Sequence, residues 1–146
     1  MNVGQTRWLI DTCLPQDRYG GLDAVHASEI SHVPGPVGFR DATRLDRTLV
    51  TCAEEFRGPC ALALDHPGVV VFEEAPTDPT DVERNLRHLE FRIGQYEGGL
   101  SLEGNRFVIR ADKELLIVGP LGQEVPLEPW REVHVARTGK VPALAG

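Results

Sequence analysis

The chain has 146 residues, of which 41% are apolar and 25% charged. That is enough for one domain with its own core, too little for two, and too apolar for a chain disordered throughout. A net charge of −7 argues against a broad electrostatic grip on nucleic acid, although a carboxylate cluster that holds a divalent cation is itself acidic.

Trp8-Leu9-Ile10-Asp11 reads as a first strand that ends on a carboxylate. Pro15 opens and Gly20-Gly21 closes a polar stretch with room for little more than one helical turn. A second strand, Ala24 to Ala27, follows at a spacing that just allows a parallel crossover. Pro34-Gly35-Pro36 is a hard break, after which Phe39, Ala42 and Leu45 recur at helical spacing. Thr48 to Thr51 is the third strand and runs into Cys52-Ala53-Glu54-Glu55-Phe56. Pro59 to Leu64 predicts a short helix with proline at its first position. Gly68 to Phe72 is a β-branched run of the kind buried on both faces. Thr80-Asp81-Val82-Glu83 fits a capping box, and Val82, Leu86, Leu89, Ile93 and Tyr96 then lay one apolar face along a helix that Gly98-Gly99 ends.

This alternation predicts an α/β domain over residues 1–99, with a central parallel sheet covered on both faces. Residues 100–118 differ in kind. Leu100 to Glu103 and Arg106 to Ile109 alternate about Gly104-Asn105 as a hairpin would, and Glu114 to Val118 adds a strand. A C-terminal antiparallel β-meander of the same domain is therefore expected. Pro120, Pro126, Pro129 and Pro142 make residues 119–146 an irregular tail, in which Trp130, Val133 and Val135 would dock on the body or anchor a homodimer.

No apolar run is long enough for a membrane helix. The residues from Met1 to Arg7 lack the layout of a signal peptide, so the expected location is cytoplasmic, with no membrane partner. Three cysteines, Cys13, Cys52 and Cys60, form no Cys-x-x-Cys pair and no secreted disulfide framework.

In a parallel sheet, ligands bind beyond the carboxyl ends of the strands. The first strand ends at Asp11-Thr12-Cys13 and the third at Cys52-Ala53-Glu54-Glu55. If the two are neighbours, Asp11 and Glu54 or Glu55 converge on one crevice, where carboxylates suit Mg²⁺ or Mn²⁺. Strand-end acids also serve merely to solvate loops and cap helices. Cys13 and Cys52 would meet at the same crevice. There they would form a redox-sensitive pair, hold a soft ion with His26 or Asp11, or pack as two small hydrophobes. Arg84, Arg87, His88 and Arg92 on the long helix would meet phosphates or, with Glu83 and Glu90, make an ordinary solvated face.

Leu9-Ile10-Asp11-Thr12-Cys13-Leu14-Pro15 resembles the Asp-Glu-Asn-Leu-Pro opening of a family of small PIN-like domains within the PIN nuclease superfamily. Leu49 to Phe56 resembles that family's second motif, in which Leu-Val-Thr leads to two Asp residues and Phe. Asp23-Ala24-Val25-His26 and Pro67 to Val71 resemble its second and last strands, so the likeness covers roughly residues 7–97. It implies a three-layer fold about a central parallel sheet. Members with a full acidic set are metal-dependent ribonucleases, often the toxins of toxin–antitoxin pairs. By this resemblance Asp11 is the principal catalytic metal ligand, Glu55 the second, and Glu54 an auxiliary or water-orienting base. Mg²⁺ or Mn²⁺ is then the cofactor, RNA the substrate and an antitoxin the partner. The acidic set is degenerate: Thr12 and Cys13 replace Glu and Asn, and Ala53 stands where the second motif has its first Asp. Pro34 to Val37 carries no acid where a further one is expected, and Asp41 is the nearest substitute. A catalytically inactive PIN-like scaffold that binds protein or RNA is the alternative.

Overall fold

Short β-branched and aromatic runs form the strands of a single mixed sheet. The computed structural model describes residues 6–17, 19–30, 38–58, 66–95 and 99–127. Among these the strands are β1 (Arg7–Ile10), β2 (Asp23–His26), β3 (Thr48–Thr51), β4 (Val69–Phe72), β5 (Arg106–Ile109), β6 (Leu115–Val118) and β7 (Glu124–Pro126). Two α-helices accompany them, α1 (Phe39–Leu45) and α2 (Pro79–Gly94). The seven strands lie in the order β2-β1-β3-β4-β5-β6-β7. The five from β2 to β5 are mutually parallel, and β6 and β7 continue antiparallel. The expected mixed architecture, a parallel sheet extended by antiparallel C-terminal strands, is thus present.

Side chains alternate across each strand, and in the central strands β3, β4 and β5 both sets are buried. Trp8, Ile10, Val50, Val70, Phe72, Phe107 and Ile109 cluster with Val82, Leu86, Leu89 and Ile93 of α2. Leu9, Leu49, Val69, Val71 and Val108 cluster instead with Ala42 of α1 and with Phe56. Burial on both faces explains why the central strands carry continuous apolar runs instead of an apolar–polar alternation. Truncating Leu86 or Leu89 to alanine would open a cavity at a cost of roughly 2–5 kcal/mol.

The long helix starts slightly earlier than its sequence pattern implies. Asp78, not Thr80, is its N-cap: the Asp78 carboxylate accepts the Thr80 N–H at 2.8 Å, and Pro79 occupies the first turn. Proline there has its φ preset for a helix and lacks an N–H that would have gone unsatisfied, so the cap settles on the residue before it. Tyr96 and Gly98 lie outside the described residues, as do the Pro34-Gly35-Pro36 break, the Pro59 to Leu64 segment with Cys60, and Trp130, Val133 and Val135.

The predicted hairpin about Gly104-Asn105 is not formed. The turn exists, with Asn105 N–H donating to Leu102 O at 3.1 Å, but residues 100–103 are not a strand. One edge of β5 pairs with β4 and the other with β6, so no edge is left for the preceding residues. They fold back over Gly68 instead, where φ is +115° and an added Cβ would lie 2.4 Å from Leu102 O. Only glycine accommodates both demands.

One buried cation fastens this end of the fold. The guanidinium of Arg106, 5% exposed, donates to the carbonyls of Phe56, Gly58 and Gly119, each at 2.7 Å. It ties the segment after β3 to the turn that follows β6.

Candidate functional site at the carboxyl ends of β1 and β3

The strand order places a topological switch between β1 and β3. From β1 the chain moves outward to β2, then returns past β1 to β3 and continues in the opposite direction. Connections diverge at such a point and leave a crevice beyond the strand ends, the usual location for a ligand in an open α/β sheet. Asp11-Thr12-Cys13 and Cys52-Ala53-Glu54-Glu55 follow these two strands directly, so the two polar clusters recognised in the sequence do end side by side.

Asp11 occupies the centre. Its N–H continues the β1–β3 ladder by donating to Val50 O at 2.9 Å, and the residue is 2% exposed. Oδ1 accepts the Thr12 N–H at 2.7 Å, and Oδ2 accepts the Thr51 hydroxyl at 2.6 Å. Thr51 Oγ1 in turn accepts the Ala53 N–H at 3.1 Å. A chain of hydrogen bonds thus runs from the turn after β3, through Thr51, to the carboxylate after β1. Thr12 and Thr51 were not singled out as functional in the sequence. The available signal was a hydroxyl residue at the end of β3, which the parallel register sets level with Asp11.

The glutamates behave differently. Glu54 and Glu55 open a one-turn 3-10 helix over Glu54–Phe56, and both are exposed. Phe56, the third residue of that turn, points into the core on the α1 side, and Ala53 packs against the same cluster. Burial of Phe56 therefore sets the turn and leaves the two carboxylates facing outward. Among the described residues, no three His, Cys, Asp or Glu side chains come together as a set that would hold a metal ion. The donors expected for Mg²⁺ are one buried carboxylate already committed to hydrogen bonds and two solvated ones, a poor match to a compact octahedral site.

His26 is not available as a soft-ion ligand either. Its Nδ1 accepts the Ser28 N–H at 3.1 Å, which assigns the ring proton to Nε2, and Nε2 lies 3.0 Å from Leu14 O. The imidazole thus fastens the turn after β1 to the end of β2.

Cys13 and Cys52 do meet. Both thiols are free, Cys13 exposed and Cys52 half-buried, and each is the largest influence on the other's titration. Hydrogen bonding from the Cys52 side chain to the Cys13 thiolate lowers the Cys13 pKa from its ordinary 9.0, against burial and the Asp11 charge, which push it up. The backbone N–H of Cys52 assists. Cys52 moves the opposite way, because giving up its proton would break the bond to Cys13 and leave a second charge in a half-buried place.

On the long helix, Arg84 pairs with Asp81 at 3.3 Å, and Arg87 pairs with Glu83 at 3.1 Å while donating to Gly21 O at 2.8 Å. This is a solvated face that also pins the β1–β2 connection. No protein-family model matches the chain, and no curated protein or solved structure matches it either, so the reading of this crevice rests on its own residues.

Proposed function

We propose that the chain is a PIN-like three-layer domain that retains the scaffold and works by binding a protein partner, without metal-dependent cleavage of RNA. The observation that carries this reading is the commitment of both Asp11 oxygens, one to Thr12 N–H and the other to the Thr51 hydroxyl. The acid that a nuclease would place on the metal is used here to join two strand ends. Ala53, where the PIN-like motif has an acid, packs into the α1-side core, and Glu54 and Glu55 are solvated. A protein partner is favoured over RNA by the net charge of −7.

The test is a calorimetric titration of the full chain with Mn²⁺ and with Mg²⁺, wild type beside Asp11→Asn, followed by incubation of both with unstructured RNA. The expected result is no saturable metal binding in either protein, no cleavage, and a lower unfolding midpoint for Asp11→Asn. Saturable binding and metal-dependent cleavage that both vanish in Asp11→Asn would overturn the reading. They would instead point to a ribonuclease that binds its metal through Asp11, and Glu55→Gln and Glu54→Gln would then test the other two acids.

A further inference from the structure

Cys13 stands two residues beyond Asp11, and Cys52 one beyond Thr51. The strands that deliver them are locked together at this level by the Asp11 N–H to Val50 O bond and by the Thr51 to Asp11 bond. The two cysteines therefore follow directly on strand ends that hydrogen-bonded backbone holds side by side. Their environments differ: Cys13 is exposed, whereas Cys52 is half-buried and packed against the α2-side core. A buried pair of small hydrophobes would not leave the Cys13 thiol exposed. We propose that Cys13 and Cys52 form a reversible dithiol site, in which a hydroperoxide oxidises the exposed Cys13 and Cys52 converts it into an intramolecular disulfide.

The Cys13 sulfur attacks one oxygen of the hydroperoxide, and the O–O bond breaks. The departing oxygen takes up the Cys13 proton and leaves as water or an alcohol, and Cys13 becomes a sulfenic acid. The Cys52 sulfur then attacks the Cys13 sulfur. An S–S bond forms, the S–O bond breaks, and hydroxide leaves with the Cys52 proton as water. Two thiols have lost two electrons to the peroxide bond. The product bridges the carboxyl ends of β1 and β3 at the mouth of the crevice, beside Asp11. External thiol reverses it by exchange, as expected of a transient bridge in a reducing compartment.

The experiment treats the reduced, folded full chain with hydrogen peroxide, blocks remaining thiols with N-ethylmaleimide, and maps the peptides by mass spectrometry. The expected product is a Cys13–Cys52 cross-linked peptide that dithiothreitol abolishes. In Cys52→Ser the reaction should stop at a Cys13 sulfenic acid that dimedone traps, and in Cys13→Ser no bridge should form. The wild-type map needs no substitution, so a variant that folds poorly does not leave the question open. Absence of the bridge in folded wild-type protein overturns the proposal, as does a bridge through Cys60 or between two chains. Dimedone on Cys52 in place of Cys13 overturns the assignment of roles.

Discussion

The Thr51 hydroxyl donates to Oδ2 of Asp11 at 2.6 Å across the boundary between β3 and β1. Both residues are almost fully buried, so this bond is made where water offers little replacement. Thr51→Val keeps the shape, removes the donor to Asp11, and leaves the Ala53 N–H without its acceptor. A hydrogen bond to a carboxylate is worth roughly 1.5–3 kcal/mol, and an orphaned buried partner adds to the loss. Urea unfolding should show Thr51→Val less stable by roughly 2–3 kcal/mol, whereas Thr51→Ser should retain most of the stability. A loss in Thr51→Ser with none in Thr51→Val would mean that the Thr51 methyl, not its hydroxyl, matters.

Arg106 sits in a strand yet turns its charge inward to three carbonyls. A lysine there has one compact ammonium in place of a planar fork and reaches fewer of them. Arg106→Lys should cost roughly 2 kcal/mol. Arg106→Met, which leaves three carbonyl oxygens without this donor, should cost roughly 3–5 kcal/mol. Amide exchange in Arg106→Met should quicken first around Phe56 to Gly58 and the turn at Gly119. Uniform quickening would argue against a local clamp.

Asp78 caps α2 through the Thr80 N–H, and its charge also complements the positive end of the helix. Asp78→Ala should lower stability by about 1 kcal/mol, and Asp78→Asn by less. Because Thr80 is not the cap, Thr80→Ala should be nearly silent. Thermal melts of the three variants separate the two possible helix starts.

Tyr19 supplies a pH dependence of known sign. Its phenol is buried, near Asp17, and donates to Pro15 O. Burial first and the Asp17 charge second raise its pKa from 10.0 to about 12. The unfolded chain therefore ionises this group first. Stability is complete below pH 10.0 and declines as the pH rises from 10.0 through about 12. Tyr19→Phe should remove this alkaline decline, at some cost in stability at neutral pH from the lost hydrogen bond to Pro15. An unchanged alkaline slope in that variant would place the titration elsewhere.

Much of this architecture is legible locally. Trp8 to Ile10, Thr48 to Thr51 and Val69 to Phe72 read as strands because β-branched and aromatic side chains suit a pleated backbone. The spacing of Val82, Leu86, Leu89 and Ile93 reads as one helix because 3.6 residues per turn align them. Asp11 and Cys13, and Cys52 with Glu54 and Glu55, were recognisable as strand-end polar clusters because each follows an apolar run within two or three residues.

What no local pattern contains is which edge meets which. The adjacency of β1 and β3 turns Asp11 and Thr51 into partners and brings Cys13 to Cys52. The pairing of β5 with β4 on one side and β6 on the other displaces the hairpin that Gly104-Asn105 signals. Arg106 alternates like an ordinary strand residue, and only the packing of the Phe56 to Gly58 segment beside it supplies carbonyls that keep a buried charge solvated. Burial of Phe56 likewise turns Glu54 and Glu55 toward water, away from the company of Asp11 that their spacing promises. Short-range periodicity chooses the elements by steric and solvation preferences of a few neighbouring residues. Pairing of distant edges and competition for buried space then decide which of their polar ends become a site.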